Sequence, residues 1–480
     1  MSQKSNLKTN PDACPLAKKC GGCQLQNMSY ERQLKWKQAR CEILLKKFGK
    51  VDKIIGMDSP YHYRNKVQAA FGRTKSGKII SGVYQSGTHR IVTVDSCMTE
   101  DIIADEIIVD IRNMLPKFKI WTYDEDRGTG FLRHVLVKRG FTSGEVMVVI
   151  VGASGYFPMK KKFTSALLEK HPEITTVVLN INPKKTNLVL GDKEEILYGN
   201  GYIEDTLCGR VFRISPKSFY QINPVQTEKL YNKAMELAGL DKNISVLDAY
   251  CGIGTIGLVA AKTAGRVIGV ELNPDAVKDA IFNAKRNNVG NTYFYCDDAS
   301  EFMHKAAAEG EKFDVVFMDP PRSGSTKKFI EALAVTNPKT VVYISCNPET
   351  LARDLEMLAK KGYKVKKICP VDMFPHTNHI ETVVLLSQRR PDTHIDIKLD
   401  LSELDITATE TKATYQEIKD YVLEKFGLIV SSLYISQVKT KCGIIERENY
   451  NKGKEGHRVP QCPKEKEEAI MDALRNFRMI

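Results

Sequence analysis

Asp248-Ala249-Tyr250-Cys251-Gly252-Ile253-Gly254-Thr255-Ile256-Gly257 is the stretch on which the fold turns. The apolar run before it, 245–249, reads as a buried strand, and the residues after it open a helix. Glycines at such a turn let the backbone bend sharply and approach a ligand closely. Taken alone, Gly252-Ile253-Gly254-Thr255-Ile256-Gly257 also fits a dinucleotide fingerprint, so a nicotinamide enzyme is one reading. Two carboxylates favour S-adenosylmethionine instead. Asp248 ends the strand where it can meet a sulfonium charge or an amino group. Glu271 ends the next strand, where a carboxylate can accept hydrogen bonds from ribose hydroxyls.

Further apolar strands are expected at 267–270, 315–318, 341–345 and 382–386, with helices between most of them and a helix over 224–240 ahead. Strands separated by helices predict a parallel sheet covered on both faces, a doubly wound, Rossmann-like α/β domain over 206–388. Upstream, from 61 to about 200, short alternating runs such as Lys78-Ile79-Ile80-Ser81-Gly82-Val83-Tyr84 predict a β-rich domain. It is preceded by Cys14, Cys20 and Cys23 in a Gly-containing loop and by a helix over 29–48, and the whole region runs from 1 to 205. That helix is expected to pack on the catalytic domain. Gln388-Arg389-Arg390-Pro391 reads as a linker to a small α/β extension over 391–480, with a strand around 394–401 and an amphipathic helix around 415–426.

A chain of 480 residues, 42% hydrophobic and 27% charged, is too long for one ordinary core and excludes the disordered and membrane classes. No apolar run approaches a bilayer span. Residues 1–11 are polar and carry no signal-peptide pattern, so a cytoplasmic location is expected. In that reducing compartment the 12 cysteines read as metal ligands, catalytic thiols or small buried residues rather than disulfides. A formal charge of +13 points to a polyanionic partner. No obligate protein partner is evident.

Asp319-Pro320-Pro321-Arg322 follows a strand, which puts a carboxylate and a rigid turn at the carboxyl edge of the sheet, where ligands bind. Asp-Pro-Pro turns also serve methylation of exocyclic amines, so this motif leaves the acceptor atom open. Cys346, in Tyr343-Ile344-Ser345-Cys346-Asn347-Pro348, narrows the choice. A thiol between a strand and a helix N-terminus is expected to be drawn toward the thiolate. Such a thiolate can add to C6 of a uracil and make C5 nucleophilic enough to take a sulfonium methyl. The C5 proton must then leave, and Glu381, just ahead of the last strand, is the candidate base.

Together these residues resemble the RumA/TrmA family of RNA uracil-C5 methyltransferases. Ser218-Phe219-Tyr220-Gln221-Ile222-Asn223, the turn 248–257, Asp319 to Arg322, Ser345 to Pro348 and His379 to Thr382 occur in the family's order. The resemblance implies that Gln221, Tyr250, Glu271 and Asp319 contact the cofactor, with Asp297 near its adenine, Cys346 the nucleophile and Glu381 the base. It also implies a central RNA-contacting domain bearing Tyr63-Arg64-Asn65-Lys66 and Leu132-Arg133-His134. Cys14, Cys20, Cys23 and Cys97 resemble the iron-sulfur pattern of the ribosomal branch. That implies a 4Fe-4S cluster, although four thiolates also suit zinc. On this resemblance the substrate is 23S rRNA, the alternatives being a tRNA uracil-C5 methyltransferase or an amino-group RNA methyltransferase. With 13 residues ahead of Cys14, the small N-terminal RNA-binding barrel of many relatives is not expected. Lys439, Lys441, Arg447, Lys452, Lys454 and Arg458 in the extension are expected to help hold RNA.

Overall fold

The computed structural model describes residues 14–85, 88–185, 188–388, 413–442, 461–477 and 479–480. The chain divides into two compact units, 1–391 and 392–480. The larger opens with a helical turn, α1 (Ala17–Cys20), and helix α2 (Tyr30–Leu45).

A seven-stranded sheet follows in the order β3-β2-β1-β4-β5-β6-β7. Its strands are β1 (Lys66–Arg73), β2 (Ile79–Tyr84), β3 (Ile91–Thr93), β4 (Leu132–Arg139), β5 (Val146–Gly152), β6 (Ile174–Ile181) and β7 (Lys193–Tyr198). The region is mixed rather than purely β-rich, because α3 (Ile102–Met114) and α4 (Lys160–Lys170) cover one face. Strand β5 shows how the sheet is buried on both sides. Val146, Val148 and Ile150 pack toward α3 and α4, whereas Met147, Val149 and Val151 join the core shared with the catalytic region. The two-residue period of a strand makes that division.

After the hairpin β8 (Ile203–Leu207) and β9 (Arg210–Ile214) comes helix α5 (Pro224–Ala238) and then the doubly wound part. Its strands β10 (Ser245–Asp248), β11 (Arg266–Glu271), β12 (Thr292–Cys296), β13 (Val315–Met318), β14 (Thr340–Ser345), β15 (Tyr363–Val371) and β16 (Glu381–Gln388) lie in the order β12-β11-β10-β13-β14-β16-β15. Helices α6 (Thr255–Ala260), α7 (Pro274–Arg286), α8 (Ala299–Ala308), α9 (Lys327–Thr336) and α10 (Pro348–Lys360) make the connections. From β10 the chain works outward to β12, then returns to lay β13 on the other side of β10. That reversal opens a crevice at the carboxyl ends of β10 and β13, the place where such sheets bind ligands.

The sheet is not wholly parallel, contrary to expectation. β16 runs antiparallel to both β14 and β15. No helix separates β15 from β16, and a direct return between neighbouring strands is antiparallel. Val371 pairs with Glu381, so the loop 372–380 closes on Glu381 itself.

In the smaller unit the described residues form helices α11 (Tyr415–Phe426), α12 (Ser432–Lys441) and α13 (Lys464–Asn476) around their own core of Ile418, Val422, Ile435, Val438, Ile470 and Leu474. A capping box of Thr414 and Glu417 starts α11, and Gly427 at φ 66° ends it. The strand expected around 394–401 lies outside the described residues. Lys439 is buried against the ring of Tyr415, whereas Lys441 pairs with Glu467 at 2.7 Å and stays half exposed. Among the described residues, no helix is long and apolar enough to cross a membrane.

Candidate active site

Asp248 closes β10 wholly buried, and its Oδ2 accepts a hydrogen bond from the Gly257 N–H at 2.8 Å. A Cβ at Gly257 would stand 3.2 Å from that oxygen and 3.3 Å from Val267 Cγ1, a tight fit that favours glycine at the close helix-to-strand contact. Gly254, at φ +84°, takes the left-handed turn that starts α6. Burial, reinforced by the charges of Asp319 and Glu271, pushes the Asp248 carboxyl up to about 7. Its Oδ1 is buried without a hydrogen-bond partner. An acceptor left open in a crevice among carboxylates suits a ligand carrying an ammonium or sulfonium charge.

Glu271 ends β11 and holds the turn from the other side. Its Oε2 accepts from the Gly252 N–H at 3.1 Å and its Oε1 from the Asn273 N–H at 2.8 Å. Asp297 follows β12, with its N–H donating to Glu271 O at 3.1 Å and its carboxylate paired with Lys305 at 2.7 Å. The Tyr250 hydroxyl lies 3.5 Å from Ser325 Oγ, and its ring tilts against Phe329. Gln221 sits in the loop between β9 and α5, whose backbone the central sheet grips. Asn65 Nδ2 donates to Gln221 O at 3.3 Å, and Lys138 Nζ donates to Ser215 O and Ser218 O at 2.8 and 2.9 Å. Lys138 is buried, and that burial, with the nearby Lys66 charge, pulls its ammonium down to about 7.

The reactive groups gather one strand further along. Ser345 pairs with Thr382 across β14 and β16, so Cys346 and Glu381 are the next residues facing each other at the strand ends. Asp319 follows β13 beside them. Burial, and then the Glu381 and Asp319 charges, push the half-buried Cys346 thiol up to about 11, with Arg322 opposing. The expectation of a thiolate at rest is therefore corrected. Cys346 precedes the N-cap Asn347 of α10, and there burial, followed by two carboxylates, works against the helix dipole. Glu381 is itself buried, and burial followed by Asp319 raises it to about 8. Burial alone raises Asp319 to about 7.

The Asp319-Arg322 turn is anchored by residues that no local motif reveals. Buried Asp354 of α10 accepts from the Ser325 N–H and the Tyr343 hydroxyl, both at 2.7 Å, and Arg353 donates to Ser323 O at 2.9 Å. Asn347 Nδ2 and Thr350 Oγ1 donate to Arg322 O at 3.4 and 3.3 Å, linking this turn to the Cys346 turn.

Cys14, Cys20, Cys23 and Cys97 come into one neighbourhood. The Cys23 thiol feels the charges of Cys20 and Cys14 and hydrogen bonds to Thr99, whose hydroxyl lies 3.4 Å from Cys97 Sγ. They are not closed into a ligand shell. Among the described residues no group of three or more His, Cys, Asp or Glu is arranged to hold a metal ion. The residues expected to face RNA are mostly interior. Tyr63, Asn65, Leu132, Arg133 and His134 are buried, with Arg133 paired to Glu125 at 2.8 Å and Tyr63 donating to Pro375 O at 3.0 Å. Lys66 is exposed and Arg64 half-buried.

Such a sheet, with a carboxylate-lined crevice at its switch point, defines an α/β methyltransferase of the S-adenosylmethionine-dependent class. The model of the tRNA (uracil-5-)-methyltransferase family matches residues 29–389. An uncharacterized RNA methyltransferase of Oceanobacillus iheyensis is 44% identical over 374 residues, covering 77% of this chain and 81% of that protein. One of Clostridium acetobutylicum is 43% identical over 393 residues, covering 80% and 85%. The crystal structure of the Pyrococcus abyssi tRNA (uracil-54, C5)-methyltransferase, in complex with S-adenosyl-L-homocysteine, matches with a TM-score of 0.64 and 30% identity, covering 76% of this chain and 85% of that one. The chain belongs to the tRNA (uracil-5-)-methyltransferase family.

Proposed function

We propose that this protein methylates C5 of a uracil in 23S rRNA, with Cys346 as covalent nucleophile and Glu381 as base. The observation that carries the reading is the meeting of Cys346 and Glu381 at the ends of adjacent antiparallel strands, with Asp319 beside them. The sulfur of Cys346, once deprotonated, bonds to C6, and the C5=C6 electrons shift to leave an enolate. S-adenosylmethionine, which Asp248, Glu271, Gln221, Tyr250 and Asp319 would hold with Asp297 near its adenine, would supply the methyl that this enolate's C5 takes, the electrons of the broken methyl–sulfur bond staying on sulfur as S-adenosylhomocysteine leaves. Glu381 then removes the C5 proton, the C5=C6 bond re-forms, and the C6–S bond breaks with its electron pair returning to sulfur.

The raised thiol and carboxyls follow from burial in a crevice crowded with like charge. A bound cation favours their ionised forms, so the site is primed once the methyl donor is in place. Arg322 opposes the same crowding and lowers both Cys346 and Glu381.

The four thiols of Cys14, Cys20, Cys23 and Cys97 are a donor set suited to a 4Fe-4S cluster, with zinc as the alternative. Methyl transfer needs no electron, so its role is structural. The cysteine pattern supports the ribosomal substrate; the Pyrococcus abyssi relative supports tRNA as a second reading.

The test is incubation of the protein with radiolabelled S-adenosylmethionine and either 5-fluorouridine-substituted 23S rRNA or tRNA. Fluorine at C5 cannot leave as a proton, so wild type should form a denaturation-resistant adduct with the rRNA, and Cys346→Ala none. An adduct with tRNA alone moves the substrate to tRNA. Methyl transfer by Cys346→Ala without an adduct replaces the covalent reading with amino-group methylation.

A further inference from the structure

The loop 372–380 carries a residue in a conformation that its side chain does not favour. His376 has φ +68°, in the left-handed region, and is 1% exposed. A non-glycine residue persists there only where its surroundings hold it, and such residues cluster at functional sites.

The surroundings do hold it, and all from one side of the chain. The His376 N–H donates to Gln33 Oε1 at 2.8 Å, and Gln33 Nε2 lies 3.1 Å from His376 Nδ1. His376 Nε2 lies 2.9 Å from Pro60 O, the His376 carbonyl accepts from the Leu25 N–H at 2.9 Å, and the ring stacks on Tyr61. The partners also fix the tautomer. Pro60 O can only accept and the Gln33 amide nitrogen can only donate, so the neutral ring carries its proton on Nε2 and accepts at Nδ1. Each polar atom of His376 is thus used once, by Gln33 from α2 or by the segments flanking that helix.

We propose that His376 is a positioning residue for Glu381, locking the loop 372–380 to the N-terminal segment so that the carboxylate is aimed at the C5 proton. The link is short. Four residues separate His376 from Glu381, which closes the loop by pairing with Val371. Within it, Thr377 Oγ1 donates to Phe374 O at 2.8 Å, and Asn378 N–H donates to Gln24 Oε1 at 3.3 Å. The inference rests on Glu381 acting as the base, and it makes a residue more than 300 positions away, Gln33, a determinant of the elimination step.

The distinguishing readout is where the reaction stalls. The full-length protein is mixed with S-adenosylmethionine and an rRNA transcript containing ordinary uridine, and denaturing gels follow the methylated covalent adduct. His376→Ala should still enter the adduct but release product more slowly, by about tenfold to a hundredfold for a base displaced by an ångström or less. The trapped fraction rises while the KM for RNA stays near that of wild type. Gln33→Met, which removes both bonds to His376 and leaves its backbone untouched, should act in the same direction and keeps the test open if His376→Ala does not fold. Wild-type release in Gln33→Met, or parallel loss of methylation and adduct in a folded variant, overturns the proposal. Glu381→Gln is the control: absence of a trapped adduct there removes the base itself and with it the reading beneath this inference.

Discussion

Lys37 Nζ and Asp372 Oδ1 lie 2.5 Å apart with both side chains wholly buried, joining α2 to the first residue of the loop that closes on Glu381. The ammonium also donates to Phe374 O at 3.0 Å. Burial lowers the Lys37 pKa, and the Asp372 charge works against that. Removing one partner of a buried pair leaves the other charge uncompensated, which costs about 3–5 kcal/mol. Lys37→Ala should therefore lower the denaturation midpoint sharply, and adding Asp372→Asn should recover part of the loss. A small effect of Lys37→Ala in urea melts would show that water reaches the carboxylate.

Asp248 predicts the pH dependence of stability. Its folded pKa, about 7, lies above the ordinary carboxylate value of about 4, so the folded state holds a proton that the unfolded chain has released. The stability this confers is full below about pH 4 and is lost as pH rises through 7. Between pH 5 and 8 the ligand-free protein should lose stability, and Asp248→Asn, which can still accept from Gly257, should show a shallower slope. Identical slopes in paired denaturation series would place the titration elsewhere.

Glu381 sets the direction of the rate profile. A base works unprotonated, and burial followed by the Asp319 charge raises its pKa to about 8, which keeps it largely protonated at neutral pH. Product release in single turnover should rise from pH 6 to 9. A profile that stays flat while Glu381→Gln remains inactive would mean that the groups around the bound adduct already lower this pKa below 6.

How far these groups are legible in the sequence depends on how local their signal is. Strands β10, β13 and β14 are continuous apolar runs, as a fully buried parallel strand demands, and they carry Asp248, Asp319 and Cys346 at their ends. Strand β15 is masked by Lys364, Lys366 and Lys367 on its exposed residues, and β12 by its position at the sheet edge. The direction of β16 is invisible, because an apolar pattern is the same read either way. The network of Gln33, Lys37, Asp372 and His376 joins residues more than 300 positions apart, so no motif holds it. The raised Cys346 thiol escaped for the same reason: the helix start is local, but the burial that raises it, and then the carboxylates from two other strands, come from tertiary packing.

Lys138 predicts coupling between the central sheet and the cofactor crevice. Its two charge-assisted bonds to Ser215 O and Ser218 O hold the loop that carries Gln221. Lys138→Met keeps most of the volume and removes both bonds, each contributing roughly 1.5–3 kcal/mol, and with only part of that loss passed from the loop to the ligand, S-adenosylhomocysteine should bind about tenfold more weakly by calorimetry. Unchanged affinity would mean that the Asn65 contacts suffice.

The smaller unit separates two sources of RNA affinity. Residues 392–480 hold 14 Lys and Arg against 16 Asp and Glu, whereas the whole chain is at +13, so the positive charge resides in 1–391. Non-specific affinity follows the number of phosphates neutralised, and an extension with a slight acidic excess adds little to it. Four of its six described lysines are engaged, Lys425 with Asp472, Lys439 on Tyr415, Lys441 with Glu467 and Lys466 on Ile429 O. Its core is its own, and the family match ends at 389. Deleting 392–480 should thus leave S-adenosylhomocysteine binding intact and RNA affinity within about twofold, with the same salt slope. A tenfold drop with a shallower slope would show instead that Arg447, Lys452, Lys454 and Arg458, outside the described residues, touch phosphate directly.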